Sequence, residues 1–600
     1  MRMTVTALRE AYKLGITTPH EVVADIAQRC HYYASHNAWI TRLTPEQLAP
    51  YLARLRGHTP DTLPLYGIPF AIKDNIDLAG IPTSAGCAAY TYIPERSAFV
   101  VEQLIQAGAI PIGKTNMDQF ATGLVGTRSP APWGPCRNAF NPRYIAGGSS
   151  SGSAVAVALG LVSFALGTDT AGSGRVPAAF NNLIGVKPSK GLLSMQGVVR
   201  ACRSLDCVSI FALTTNDADA ILEQTAHYDP EDDYARRNPY DNSGRYYGLP
   251  QGPFRFGVAR AEQLNFFGDS AAESLYARSI EKFQALGGEK VEIDFSPFLA
   301  AARLLYAGPW LAERYVAIED IIRHRPEQLL PVISEIIGAA KNISAIDAYK
   351  AEYQMQHYRR LAHDLLNRID FLVTPTTGTI YTLAEVEAQP IALNSNLGYY
   401  TNYLNLLDCA AVAVPAGFLP NGLPWGLSLV APALQDRKLL SFAHRWQQAT
   451  ELPLGALDYS AEPSTTPPVA HTDTIPLVVC GAHLQGLALN WQLTERGAVL
   501  LQTTFTSPHY RLYALPGGPP RRPGLLRDMQ HGDLIEVEVW AVPKAQLGTL
   551  VAGVPAPLAI GKIELDDGHW LTGFVCEQYA VVNAEEITGL RGWRAYLSSQ

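Results

Sequence analysis

Residues 146–175 read AGGSSSGSAVAVALGLVSFALGTDTAGSGR, and the character of the rest of the chain follows from them. Serine and glycine crowd both ends. The segment is nonetheless no flexible linker, because an apolar run from Ala154 to Gly167 separates the GGSSSGS start from the TDTAGSG end. The pattern predicts a helix whose N-terminus is packed with hydroxyls, then a buried strand or turn that ends on a second serine. Ser149 and Ser173 thus stand at the two ends of one small-residue unit. A serine hydroxyl is a poor nucleophile until a base takes its proton, so such a unit needs a base from elsewhere in the chain.

Upstream, YGIPFAIKDNID (66–77) reads as a short apolar strand with Lys73 at its end. Burial there disfavours the charged ammonium and pulls its pKa down; the alternative is a stem lying along the surface with its head in water. A helix over 97–107 leads to a second buried strand, AIPIGKTN. Residues 108–115, GAIPIGKT, match the G-x-x-x-x-G-K-[ST] phosphate loop literally. The mechanism fails the match, since Ile110-Pro111-Ile112 is stiff strand material and Pro111 has no N–H to offer. Gly148–Gly152 likewise satisfies G-x-S-x-G, but a nucleophile elbow must follow a buried strand, and NPRYIAGG is a loop.

Six hundred residues exceed a single hydrophobic core, so at least two domains are expected. A net charge of −8 gives no electrostatic reason for nucleic acid or an anionic membrane as partner. The eight cysteines form no CxxC pair, which fits neither a zinc site nor a disulfide framework and points to a reducing cytosol. MRMTVTALREAYKLG lacks the apolar core of a signal peptide, and no run of about 18 apolar residues exists to cross a membrane. A soluble cytoplasmic protein is expected, with no metal or other cofactor.

Downstream, VPAAFNNLIGVKPSKGLLS and LDCVSIFA read as strand-like runs leading to a Thr-capped helix. PFRFGVA, a helix over 270–286 closed by Gly287-Gly288, and VEID form a strand–helix–strand unit. Helices dominate 298–368, FLVTPTT returns to strand, and a last helix covers 436–449. Strands alternating with helices argue for an α/β sheet covered on both faces. Residues 456–475, rich in Pro, Ser and Thr, read as a linker between a catalytic domain (1–455) and a compact, β-rich domain (476–600) carrying six strand-like runs.

GIPFAIKDN, GAIPIGKTNMDQFA, GGSSSGSAVAVA, GTDTAGSGRVPAAFNNLIGVKPSKG and SLDCVSIFA together resemble the amidase signature family, in the family's order. The resemblance implies that family's fold, a mixed central sheet covered by helices, and a Ser-Ser-Lys triad. Lys73 would be the base, Ser149 the bridging serine and Ser173 the acyl-forming nucleophile. The backbone N–H groups of Thr170, Ala171, Gly172 and Ser173 would form the oxyanion hole. Against the family pattern, Ala171 replaces a glycine, Gly174 a bulky residue and Ser151 a glycine; the first two are expected to narrow the site for a small substrate. DTAGSGRVPA, LDCVSIFA and the appended β domain resemble the family's allophanate hydrolase branch. That resemblance implies hydrolysis of allophanate (urea-1-carboxylate) to ammonia and carbon dioxide, a homodimer, and a urea carboxylase partner. It assigns the substrate carboxylate to Tyr306 and Arg314, eight residues apart and so roughly on one helix face, with a backbone contact from Gly123. The C-terminal domain resembles a γ-glutamyl cyclotransferase-like fold, with His483 as a second site assisting decarboxylation; a structural histidine and an assembly module remain the alternatives. The competing functions are another small-amide amidase, the glutaminase subunit of a tRNA-dependent amidotransferase, and a non-catalytic scaffold.

Overall fold

A computed structural model describes residues 2–239, 242–244, 247–248, 252–460 and 474–600. The chain divides into two compact units, one from residues 1–238 and 246–466, the other from 239–245 and 467–600. In the first unit, β1 (Trp39–Arg42), β2 (Pro69–Lys73), β3 (Ile110–Thr115), β4 (Phe164–Asp169), β5 (Ile184–Lys187) and β6 (Cys207–Ala212) form half of one sheet. The other half is β7 (Phe254–Ala259), β8 (Gly288–Ile293), β9 (Phe371–Pro375), β10 (Cys409–Phe418) and β11 (Pro424–Pro432). Among the described residues the spatial order is β1-β3-β2-β4-β6-β5-β10-β11-β9-β7-β8. The ladder is mixed: β2 runs parallel to β3 and β4, and β7 to β8 and β9, while β4, β5, β6, β10 and β11 pair antiparallel.

The centre of the sheet is buried on both faces, which is why β2, β3, β4 and β6 read as unbroken apolar runs. Phe70 on β2 stacks on Phe164 on β4 with ring centroids 5.2 Å apart. The helix Ser151–Ala158 is buried along its whole length against this sheet. Its Ser, Gly, Ala and Val side chains are small enough to let the helix lie close to the strands. The Thr-capped helix is Thr215–Thr225, with Thr214 Oγ1 accepting from the Asp217 N–H.

Three expectations need correction. VPAAF is a short helix, Val176–Phe180, not strand; Pro177 at its first turn suits a helix start, where no N–H is needed. Residues 456–460, expected in the linker, pack on the catalytic unit: the Ala456 N–H donates to Ala158, and the Tyr459 hydroxyl accepts from Met3. Residues 461–473 of that segment lie outside the described residues.

The second unit holds β12 (Thr474–Val479), β13 (Val499–Phe505), β14 (Tyr510–Leu515), β15 (Arg522–Arg527), β16 (Glu536–Pro543), β17 (Leu558–Glu564), β18 (Trp570–Cys576) and β19 (Glu585–Glu586). They form sheets ordered β13-β16-β12-β18-β17 and β15-β14-β19. All six expected runs are strands. The third correction is that two strands, β15 and the two-residue β19, lie beyond those six; Pro523 and Gly524 suppress the strand signal of RPGLLR in β15.

Candidate active site

Lys73 ends β2 with 0% of its surface exposed. Its Nζ donates to Ser149 Oγ at 2.8 Å and to Thr168 Oγ1 at 2.7 Å. Burial pulls its pKa down to about 7, against the opposing pull of Asp118, Asp169 and Asp206, while Arg314 pushes it further down. A lysine in that state can take a proton from a serine at neutral pH, and the reading of Lys73 as a surface side chain is overturned.

Ser149 is held by the clamped start of the helix Ser151–Ala158. Ser150 Oγ donates to the Thr168 carbonyl and accepts the Thr168 N–H, and Ser153 Oγ donates to the Leu166 carbonyl, so these hydroxyls tie the helix to β4. A Cβ on Gly148 would sit 2.1 Å from Asp118 Oδ2, and one on Gly152 would sit 2.2 Å from the Ala38 carbonyl. The crowding of serine and glycine is therefore mostly structural, and within the run it is Ser149 that meets Lys73.

The turn carrying Ser173 is built on Asp169, at the end of β4. Its carboxylate accepts the Gly172 N–H at 2.8 Å and the Gly174 N–H at 2.9 Å, and Arg175 grips it bidentately at 2.9 and 3.0 Å. Burial alone would raise the Asp169 pKa, but the charges of Arg175 and Lys187 and the Gly174 hydrogen bond hold it below the usual carboxylate value. Asn405 Nδ2 donates to the carbonyls of Asp169 and Thr170. The four N–H groups expected in the oxyanion hole differ in their partners. The Gly172 N–H is committed to Asp169, whereas among the described residues the N–H groups of Thr170, Ala171 and Ser173 have no hydrogen-bond partner. Gly174 is also not a substrate-narrowing residue: its absent Cβ would lie 2.5 Å from Ser209 Cβ on β6, so glycine is required for packing. Among the described residues Lys73 and Ser149 are joined by a hydrogen bond, whereas the Ser173 hydroxyl makes none to Ser149.

Tyr306 and Arg314 do not share a helix. The helix Ser296–Ala307 stops, Gly308-Pro309 intervene, and a new helix runs Trp310–Ala317, because proline lacks the N–H that would continue the first. The break still brings them together, with the guanidinium 5.6 Å from the Tyr306 ring centroid. Arg314 is 1% exposed, and its Nε and both terminal nitrogens lack hydrogen-bond partners among the described residues. Buried donors are ordinarily satisfied, so three orphans on one cation mark a place for an anion. Gly123 has φ +150°, and a Cβ there would lie 2.7 Å from Asp118 Oδ2. Its N–H has no partner among the described residues.

Sequence reasoning missed the residues that hold this site. Asp206 accepts the Thr170 hydroxyl and the N–H groups of Ala201 and Cys202. Glu313, beside Arg314, accepts the Ser204 N–H at 2.6 Å and hydroxyl at 2.7 Å. Asp118 accepts the Gly126 and Arg128 N–H groups. Only Asp169 carried a readable signal, an aspartate opening a glycine-rich turn with an arginine six residues on.

In the second unit, His483 Nε2 lies 2.9 Å from Gln492 Oε1, and its ring stacks on Phe574 at 4.9 Å. Burial pulls its pKa down, with Arg522 and Arg496 acting in the same direction. It lines a cavity of about 60 Å³ with Cys480, Gln492, Arg522 and Phe574.

The class these features define is confirmed by comparison with known proteins: the amidase family profile matches residues 21–440, and the chain belongs to that family. A second profile, the allophanate hydrolase C-terminal domain, matches residues 475–598. The urea amidolyase of Saccharomyces cerevisiae is 44% identical over 578 residues, 93% of this chain and 31% of that protein. The chain thus spans about a third of the length of the curated relatives it matches first. The solved allophanate hydrolase of Kluyveromyces lactis is 40% identical with a TM-score of 0.76, covering 97% of both chains. The solved peptide amidase of Stenotrophomonas maltophilia is 26% identical with a TM-score of 0.63, covering 78% of this chain and 99% of its own.

Proposed function

We propose that this chain hydrolyses allophanate, attacking its terminal carboxamide with Ser173 and releasing ammonia. The observation that carries the reading is Arg314, an enclosed guanidinium with three unpartnered nitrogens near the Lys73–Ser149 pair. Its planar donor fork suits a carboxylate, and allophanate is a small amide bearing one. The match to the allophanate hydrolase C-terminal domain supports the same substrate over the glutaminase reading.

In this reading neutral Lys73 takes the Ser149 proton while Ser149 takes that of Ser173, whose Oγ forms a bond to the carboxamide carbon. The oxyanion meets the N–H groups of Thr170, Ala171 and Ser173. The C–N bond then breaks, the leaving nitrogen receives the relayed proton, and ammonia departs. Water, deprotonated through the same relay, attacks the acyl carbon and frees Ser173. The product is an amine carrying two carboxylates, which loses carbon dioxide; in this reading Arg522 in the second unit offers that anion a cation, beside His483. The proposal extends to a cytoplasmic homodimer and to a urea carboxylase partner; the relative named urea amidolyase is much longer than this chain and so has room for a further activity. Among the described residues no helix is long and apolar enough to cross a membrane, and all eight cysteines are free thiols.

The test is ammonia release from allophanate by the purified chain, with biuret, in which a carboxamide replaces the carboxylate, as the neutral comparison. Allophanate is expected to be strongly preferred, and Ser173→Ala to lower kcat at least ~10⁴-fold. Arg314→Met should erase the preference. Retained activity in Ser173→Ala, or equal turnover of biuret, would sink the reading.

A further inference from the structure

A cavity of the catalytic unit, about 620 Å³, lies between the segment 190–206, the helix Ala345–Leu366 and Asp408. Lys73, Ser149 and Ser173 do not line it. Five cations do: Lys190, Arg203, Arg236, Arg359 and Arg360. Their carboxylate partners are unevenly shared. Arg236 takes both oxygens of Asp408 at 3.0 Å, Arg203 is paired with Asp233, and Arg360 with Asp364. Asp206, which also lines the cavity, is already occupied by the Thr170 hydroxyl and two backbone N–H groups. That leaves Lys190 and Arg359 with no carboxylate within hydrogen-bond reach among the described residues. Lys190 Nζ reaches only the Ser204 carbonyl at 3.3 Å, and Arg359 Nε donates to the Leu406 carbonyl at 2.8 Å.

We infer that this cavity is a binding site for a small multivalent oxyanion, phosphoryl or dicarboxylate, seated between Lys190 and Arg359. The geometry is that of a fixed site. Arg359 is anchored by its Nε, leaving its terminal nitrogens to turn toward a ligand, and His363, one turn on, lies with Nε2 at 2.9 Å from the Leu407 carbonyl. Both contacts grip the segment that delivers Asp408, so helix and loop hold one another in place. Mutual repulsion favours occupancy, because the Lys190 ammonium is disfavoured by burial and by the charges of Arg359 and Lys187, with Asp408 the main charge pulling the other way. An anion between them removes that repulsion, and two charges on the ligand match the two cations left without carboxylates. The site itself does not depend on which amide is hydrolysed; only the product as its ligand rests on the proposed function. A free phosphoryl ligand and the reaction's own dicarboxylated product share the required chemistry.

Isothermal titration of the full chain with inorganic phosphate, and separately with malonate, tests the site and separates its sources. Because Arg314 is itself proposed to take a carboxylate, the decisive titrations are made in Arg314→Met, where saturable binding is expected to remain and to weaken about tenfold or more when Lys190→Gln or Arg359→Gln is added. It should also weaken as salt rises. Arg359 lies on a helix surface, so its variant keeps the test valid if Lys190→Gln folds poorly; a thermal melt of each variant reports that. Binding of phosphate alone assigns a phosphoryl ligand, and binding of malonate as well admits the product. Absence of saturable binding of both probes, or binding lost in Arg314→Met and kept in Arg359→Gln, would overturn the inference.

Discussion

Two lysines occupy neighbouring strands of the large sheet, and their fates differ. Lys73 ends β2, Lys114 lies one residue from the end of β3, and Ile72 stands opposite Lys114 in the parallel ladder. Both are fully enclosed, and burial is the main force lowering the pKa of each. Lys114 has a carboxylate, Asp74, at 3.5 Å, with Thr83 Oγ1 at 2.9 Å. Lys73 has only hydroxyls within hydrogen-bond reach. Burial of a lysine is therefore not enough to make a base. A contacting carboxylate opposes the loss of the proton that burial favours, and hydroxyls oppose it less. Lys114 is also the lysine of the phosphate-loop lookalike, and its place inside a buried strand gives it a structural partner.

The sharpest way to break this comparison is to exchange the chemistry at Lys73. Lys73→Arg, which cannot deprotonate, should lower kcat for amide hydrolysis by about 10³-fold or more while leaving the thermal melt cooperative; retained turnover would remove Lys73 as base. At Lys114 the expected loss is in stability. Lys114→Met leaves the Asp74 carboxylate buried without its cation, at a cost of about 3–5 kcal/mol, measured by urea unfolding, and Lys114→Met with Asp74→Asn should recover part of it. A smaller effect concerns pH. In the proposed mechanism neutral Lys73 is the active form, so kcat/KM should rise about tenfold per pH unit below about 7 and level off above it. The weakest effect is expected from Thr168→Val. Thr168 Oγ1 accepts from Lys73 and so favours its charged form; its loss should move that acid limb to lower pH by less than about one unit.

Much of this site was legible because its chemistry is local. The hydroxyl-rich helix start, the apolar β4 and the lysine ending β2 are written in consecutive residues. What could not be read depends on contacts between distant segments. Ser209 on β6 decides that residue 174 must be glycine, and the Asp169 carboxylate decides that the Gly172 N–H is spoken for. At Gly308-Pro309 the break is in plain view, since proline interrupts helices, yet the eight-residue spacing of Tyr306 and Arg314 taken alone suggests one continuous helix. In β15, pairing with β14 overrides the poor strand propensity of RPGLLR.

Glu313 has a consequence for how such a protein can change. It neighbours the residue proposed to read the substrate's charge, and it tethers the segment through Ser204 whose Asp206 secures Thr170, a proposed oxyanion donor. On that reading, substrate choice and rate acceleration are coupled through one short chain of contacts. A lineage that re-aims the helix Trp310–Ala317 toward a new amide would disturb the oxyanion donors in the same step. New specificities should therefore evolve by altering side chains on that helix while it stays in place.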